Sequence, residues 1–147
     1  MNRNDILTAL IAQQQTIIDN LKESVQRYQI ASDLDEEATR DPEDYSRQTE
    51  AKDMQLRFEK LLREATTDLK FLESEKEASH ETIEKGALFR TNHNWFFVGV
   101  SLPQTKIGQE LVVSFSDQAP IFKSFAKATL GASVEIGAVQ HRIEQIL

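Results

Sequence analysis

Residues 1–85 contain no glycine and a single proline, Pro42, whereas all five glycines (Gly86, Gly99, Gly108, Gly131 and Gly137) lie beyond them. Glycine and proline interrupt regular structure more strongly than any other residues, so a stretch this poor in both favours long helices. The change at Gly86 predicts a boundary. A helical part spans 1–83 and a small strand-rich part spans 84–147.

Apolar spacing in the first part agrees. Leu7, Leu10, Ile17, Leu21, Tyr28 and Ala31 recur every three or four residues between Asp5 and Ser32; Ile11, Ile18 and Val25 widen the stripe and Gln14 interrupts it. A second stripe over 43–76 runs through Ala51, Met54, Phe58, Leu61, Ala65, Leu69 and Leu72. Each is the face of a helix packed on one partner. A short connection between two such helices predicts an antiparallel hairpin, a two-helix coiled coil. Asp41 is a good N-cap for the second helix, Pro42 suits its first turn, and Glu43 and Asp44 are favoured there by the helix dipole.

The second part alternates as short strands. The pattern predicts strands over 86–91 and 95–101 around the turn Asn92-His93-Asn94, a third over 110–116, and a closing pair over 133–136 and 140–146. A short helix opened by Pro120 is predicted over 119–128, with Phe122 and Phe125 toward the sheet. The fold class is α+β: a helical hairpin, then a small antiparallel sheet with one short helix.

Charge limits the partners. The chain carries 17 Lys+Arg and 24 Asp+Glu, a net of −7, and residues 33–44 hold seven acids around the one base Arg40. Such a surface repels phosphate backbones, so direct duplex DNA binding is not expected. The absence of cysteine removes disulfides, thiolate zinc sites and cysteine nucleophiles. No run approaches the roughly 20 apolar residues of a membrane span, and no secretory signal is visible, so a cytoplasmic location is expected.

The acidic stretch at 33–44 is the strongest local signal. It reads either as a solvated turn or as a cluster that relieves its own repulsion by binding a divalent cation. Asp33, Asp35, Glu37, Thr39, Asp41 and Asp44 also fall at positions 1, 3, 5, 7, 9 and 12 of an EF-hand loop, although Ala38 stands where that loop needs glycine. His80, His93 and His141 are scattered over helix end, turn and final strand, with no ligand cluster or nucleophile–base pair among their sequence neighbours. Trp95, Phe96 and Phe97 read as strand packing. Lys123 and Lys127, one turn apart on the short helix, are candidate partner-binding residues. No phosphate-cradling glycine loop is present, and enzymatic activity of the chain alone is not expected.

This order of parts resembles the bacterial GreA/GreB transcript-cleavage factors. Val112-Val113-Ser114-Phe115-Ser116 followed by Ala119-Pro120-Ile121 resembles the family's strand leading to Ser-Pro and a short helix, with Ala119 in place of the serine. Leu130-Gly131 resembles the glycine turn after that helix, and Val134-Glu135-Ile136 with His141-Arg142-Ile143-Glu144-Gln145-Ile146 resembles the final strand pair. At the hairpin tip the family carries an Asp, an acid three residues later, then Asn-Ala-Glu-Tyr and an Ala-Lys-Glu run. Aligning Ala51-Lys52-Asp53 on that run places Asp41 and Asp44 on the two acids; a second register places them at Asp33 and Glu36. Tyr45-Ser46-Arg47-Gln48 stands where Asn-Ala-Glu-Tyr would be.

The resemblance implies an FKBP-like second domain and a monomer that enters the secondary channel of RNA polymerase beside a backtracked RNA 3′ end. Asp41 and Asp44 would there share a Mg²⁺ with the polymerase and orient the attacking water, stimulating the polymerase's own nuclease. The chain alone would hold no cofactor. Two other readings stay open: a channel binder that does not stimulate cleavage, and a coiled-coil adaptor unrelated to transcription.

Overall fold

The computed structural model describes residues 1–37 and 42–147, and the side chains from position 34 to 37 fall outside that description. Among the described residues the elements are α1 (Arg3–Glu37), α2 (Pro42–Glu75), β1 (Leu88–Thr91), β2 (Trp95–Val98), β3 (Leu102–Ile107), β4 (Glu110–Phe115), α3 (Pro120–Phe125), β5 (Ser133–Ile136) and β6 (Val139–Ile146). The α+β class holds, with two long helices preceding the sheet. No described helix is long and apolar enough to cross a membrane.

The chain divides into two compact units, one of residues 14–70 and one of residues 1–13 with 71–147. In the first, α1 and α2 run antiparallel. Gln14 Nε2 donates to the Ala65 carbonyl at 2.9 Å near one end, and the Tyr28 and Phe58 rings stack at 5.5 Å further along. Gln14 is 3% exposed, so the polar break in the stripe is a buried side chain satisfied across the helix pair. A buried amide with one productive partner holds such helices in register.

In the second unit the strand order is β3-β4-β2-β1-β6-β5. The sheet is mixed rather than wholly antiparallel, because β2 and β4 run parallel, with Trp95 beside Val112 and Val98 beside Phe115. The cause is β3, a strand absent from the sequence expectation. It leaves β2 without pairing to it, lies at the sheet edge and returns through β4. Pro103 and the exposed Gln104 and Lys106 hide its strand character, and an edge is where a sheet tolerates proline.

All four residues of β2 are buried, which marks a central strand covered on both faces. Phe96 and Val98 join Ile83, Phe89, Phe115, Phe125 and Ile143 in the core on the α3 side. On the opposite face the Phe97 ring lies 6.3 Å from that of Phe71, near the end of α2. The short helix ends at Phe125, earlier than the sequence suggests. Lys127 lies beyond it with φ at 62°, and its N–H donates to the Ile83 carbonyl at 3.0 Å.

Candidate functional site

The acidic candidates belong to the end of α1 and the start of α2. Asp33 is exposed on α1, and Glu36 follows one turn later on the same helix with its side chain outside the described residues. Residues three apart on a helix share a face, so the Asp33/Glu36 register has its two positions on one side of α1. Asp44 is half-buried in the first turn of α2, two residues after Pro42. Asp41, its partner in the other register, lies outside the described residues, as do Ala38, Thr39 and Arg40.

The EF-hand reading is overturned by α1 itself. The helix continues through Asp33, Asp35 and Glu37, the first three would-be ligand positions. An EF-hand loop needs those residues in a wound, non-helical backbone to turn their oxygens on one ion. Among the described residues, no group of three or more His, Asp or Glu side chains is placed to hold a metal.

Below the tip, Tyr28, Ala31, Arg47, Ala51, Asp53 and Met54 line a groove of about 520 Å³. Ala51 is 9% exposed while Lys52 and Asp53 face solvent. The Ala-Lys-acid run therefore sets its small residue in the helix pair and leaves two charges outside. Tyr45 is 55% exposed, so the residue opening the Tyr-Ser-Arg-Gln segment is presented to solvent.

In the sheet unit, Lys123 and Lys127 are both exposed, but only Lys123 is on α3; the one-turn helical spacing is lost where the chain turns at Ala126. Trp95 is 2% exposed and its indole N–H donates to Glu110, which also pairs with Arg90 at 2.9 Å. These groups, with His93, Asn94 and Gln109, border a cavity of about 400 Å³.

The histidines are less scattered than the sequence suggests. His80 sits between two carboxylates, with Nε2 2.9 Å from Glu75 Oε2 and Nδ1 2.8 Å from Glu84 Oε1. His93 and His141 meet edge to face, their rings 4.8 Å apart. That meeting follows from the pairing of β1 with β6. Its sequence signal is limited to a histidine in a turn and another in a strand.

No protein-family model matches the chain, and no curated protein matches it.

Proposed function

We propose that the chain is a secondary-channel-binding transcription factor of bacterial RNA polymerase that stimulates cleavage of backtracked RNA. The observation that carries this reading is the antiparallel pair α1/α2, joined through an acid-rich segment and followed by a mixed sheet with one short helix. A hairpin of two helices is narrow enough to enter a channel that a globular domain cannot. Acids at its turn would bring hard oxygen ligands to a Mg²⁺ that the polymerase already holds in part. Asp41 and Asp44 are the acids assigned this role, with Asp33 and Glu36 in the other register. The sheet unit, through Lys123 and Lys127, would bind the channel rim. Such a protein works in the cytoplasm, carries no metal when free, and leaves bond cleavage to the polymerase.

The test is a backtracked elongation complex with labelled RNA. Added protein should speed release of the 3′ fragment, and the Asp41→Ala/Asp44→Ala double variant should lose about tenfold or more of that stimulation, about 1.4 kcal/mol of transition-state stabilisation. Normal cleavage by that variant with loss in Asp33→Ala/Glu36→Ala would move the site to α1.

One observation favours a second reading. Tyr45-Ser46-Arg47-Gln48 departs from the family's segment beside the acids, with Tyr45 exposed. A factor altered there would occupy the channel without stimulating cleavage, and polymerase binding with unchanged cleavage would select it. Failure to bind polymerase at all would leave the adaptor reading.

A further inference from the structure

Thr91 Oγ1 stands at a junction of donors. The backbone N–H groups of His93 and Asn94 point to it at 3.1 and 3.3 Å, and His141 Nδ1 lies 3.0 Å away. A hydroxyl offers two acceptor lone pairs and one proton. With both lone pairs engaged by the turn amides, the proton is left for Nδ1, which must then be the bare nitrogen of a neutral ring. The other outlet, the Asn94 carbonyl, is 3.5 Å from Oγ1 and already accepts the Thr91 N–H at 2.9 Å.

The surroundings of His141 are hostile to a charge. The residue is 7% exposed, and the rings of Phe96 from β2 and Phe125 from α3 stand edge-on to it at 5.6 and 5.8 Å. Val134 of β5 is its cross-strand partner. The turn faces it with His93, a titratable group that is itself cationic when protonated, and β1 faces it with the neutral Thr91. Arg142, next on β6, is directed away to Glu144 at 3.2 Å.

We propose that His141, Thr91 and the β1–β2 turn form an acid-sensitive latch, in which a proton arriving at Nδ1 leaves Thr91 Oγ1 with more donors than lone pairs and releases the longer of the two turn contacts, the Asn94 amide. Three N–H groups then compete for two lone pairs, and the hydroxyl proton must swing to the longer Asn94 contact. The opening is local. Asn92 still accepts the Arg142 N–H at 2.8 Å, and its own N–H still donates to the Arg142 carbonyl at 3.2 Å. The turn borders the cavity of Arg90, Trp95 and Glu110, so its loosening alters the one wall of that cavity built from His93 and Asn94.

Burial holds the His141 pKa below the ordinary histidine value, and His93 pushes in the same direction. The unfolded chain therefore binds more protons between the two values. The stability tied to the neutral ring is complete above the ordinary value of about 6.5 and is lost as pH falls from there through the folded value.

The test is an NMR titration of the full chain, run on wild type and on His93→Asn, which removes the other histidine's titration from the turn. At neutral pH the wild-type His141 ring should carry its proton on Nε2. On acidification its midpoint should fall below about 6.5, and in each protein the Asn94 amide should shift and lose exchange protection with that protein's own His141 midpoint. In His93→Asn the midpoint should rise relative to wild type. A neutral-pH ring protonated on Nδ1, or an Asn94 amide unmoved through the His141 titration, would overturn the latch.

Discussion

Replacing Arg3 by methionine should destabilise the protein by about 3–5 kcal/mol, the usual effect of removing one partner of a buried, hydrogen-bonded charge. The Arg3 guanidinium reaches four acceptors. Nε donates to the Glu75 carbonyl at 2.8 Å, Nη1 to the Leu147 carbonyl at 2.9 Å, and Nη2 to the Gly86 carbonyl at 2.8 Å and Glu75 Oε2 at 3.0 Å. Three of these are backbone oxygens from separate segments, so one planar fork joins the start of α1, the end of α2, the approach to β1 and the residue after β6. Methionine fills similar volume but donates to none of them. The Glu75 and Leu147 carbonyls keep the Ala78 and Leu88 N–H groups and Glu75 Oε2 keeps His80, while the Gly86 carbonyl loses the Arg3 donor. An abandoned buried acceptor costs about 1–3 kcal/mol. Burial pushes the guanidinium below its ordinary pKa and Glu75 opposes that shift, which identifies the ion pair as compensation for desolvation.

Urea unfolding at neutral pH measures the loss, and two further variants separate its causes. Arg3→Lys keeps the charge but cannot present a planar fork to divergent acceptors, so it should recover less than half of the stability. Asn2→Ala removes only the helix cap, in which Asn2 Oδ1 accepts the Asp5 N–H at 2.8 Å, and should cost about 1 kcal/mol. A methionine variant no worse than the cap variant would show that the four bonds add nothing beyond fastening the first turn.

The helices were legible in the sequence because two independent signals coincided: a regular apolar stripe and the lack of glycine over 1–85. Even Gln14, visible as a flaw in the stripe, marks the place where a side chain reaches across to Ala65. Strand pairing was less legible. The pattern of β4 announces a strand but not its neighbour, and the parallel pairing with β2 depends on β3, whose proline and polar residues read as loop. The His93–His141 contact was illegible for the same reason, since it exists only after β6 has paired with β1. At the acidic site the residue types were plain but their register was not. Helix α1 carries Asp33 and Glu36, and Asp44 is in the first turn of α2, so both registers retain acids next to the inter-helix segment.

Gly99→Ala should destabilise the protein by about 3 kcal/mol or more. Two effects add. The backbone at Gly99 has φ at +138°, a conformation that a side chain with a Cβ adopts only under strain of about 1–3 kcal/mol. A Cβ there would also lie 2.4 Å from Phe71 Cε1 and 2.9 Å from Cζ. To make room the ring must shift against its contacts, Phe97 at 6.3 Å and the Lys85 ammonium 4.9 Å from its centroid. Overpacking of this kind costs about 1–3 kcal/mol in its own right. Gly108→Ala gives the milder case of a positive φ without a collision, since φ is +64° there and nothing lies within 4 Å of the new Cβ. The difference between the two variants in urea unfolding therefore combines the collision with Phe71 and the greater strain at +138°. Phe71→Ala removes the collision, so it should cost less in the Gly99→Ala background than in wild type, a double-mutant coupling of about 1 kcal/mol or more. Additive losses would mean that the backbone strain alone requires glycine at the end of β2, with the close approach of α2 incidental.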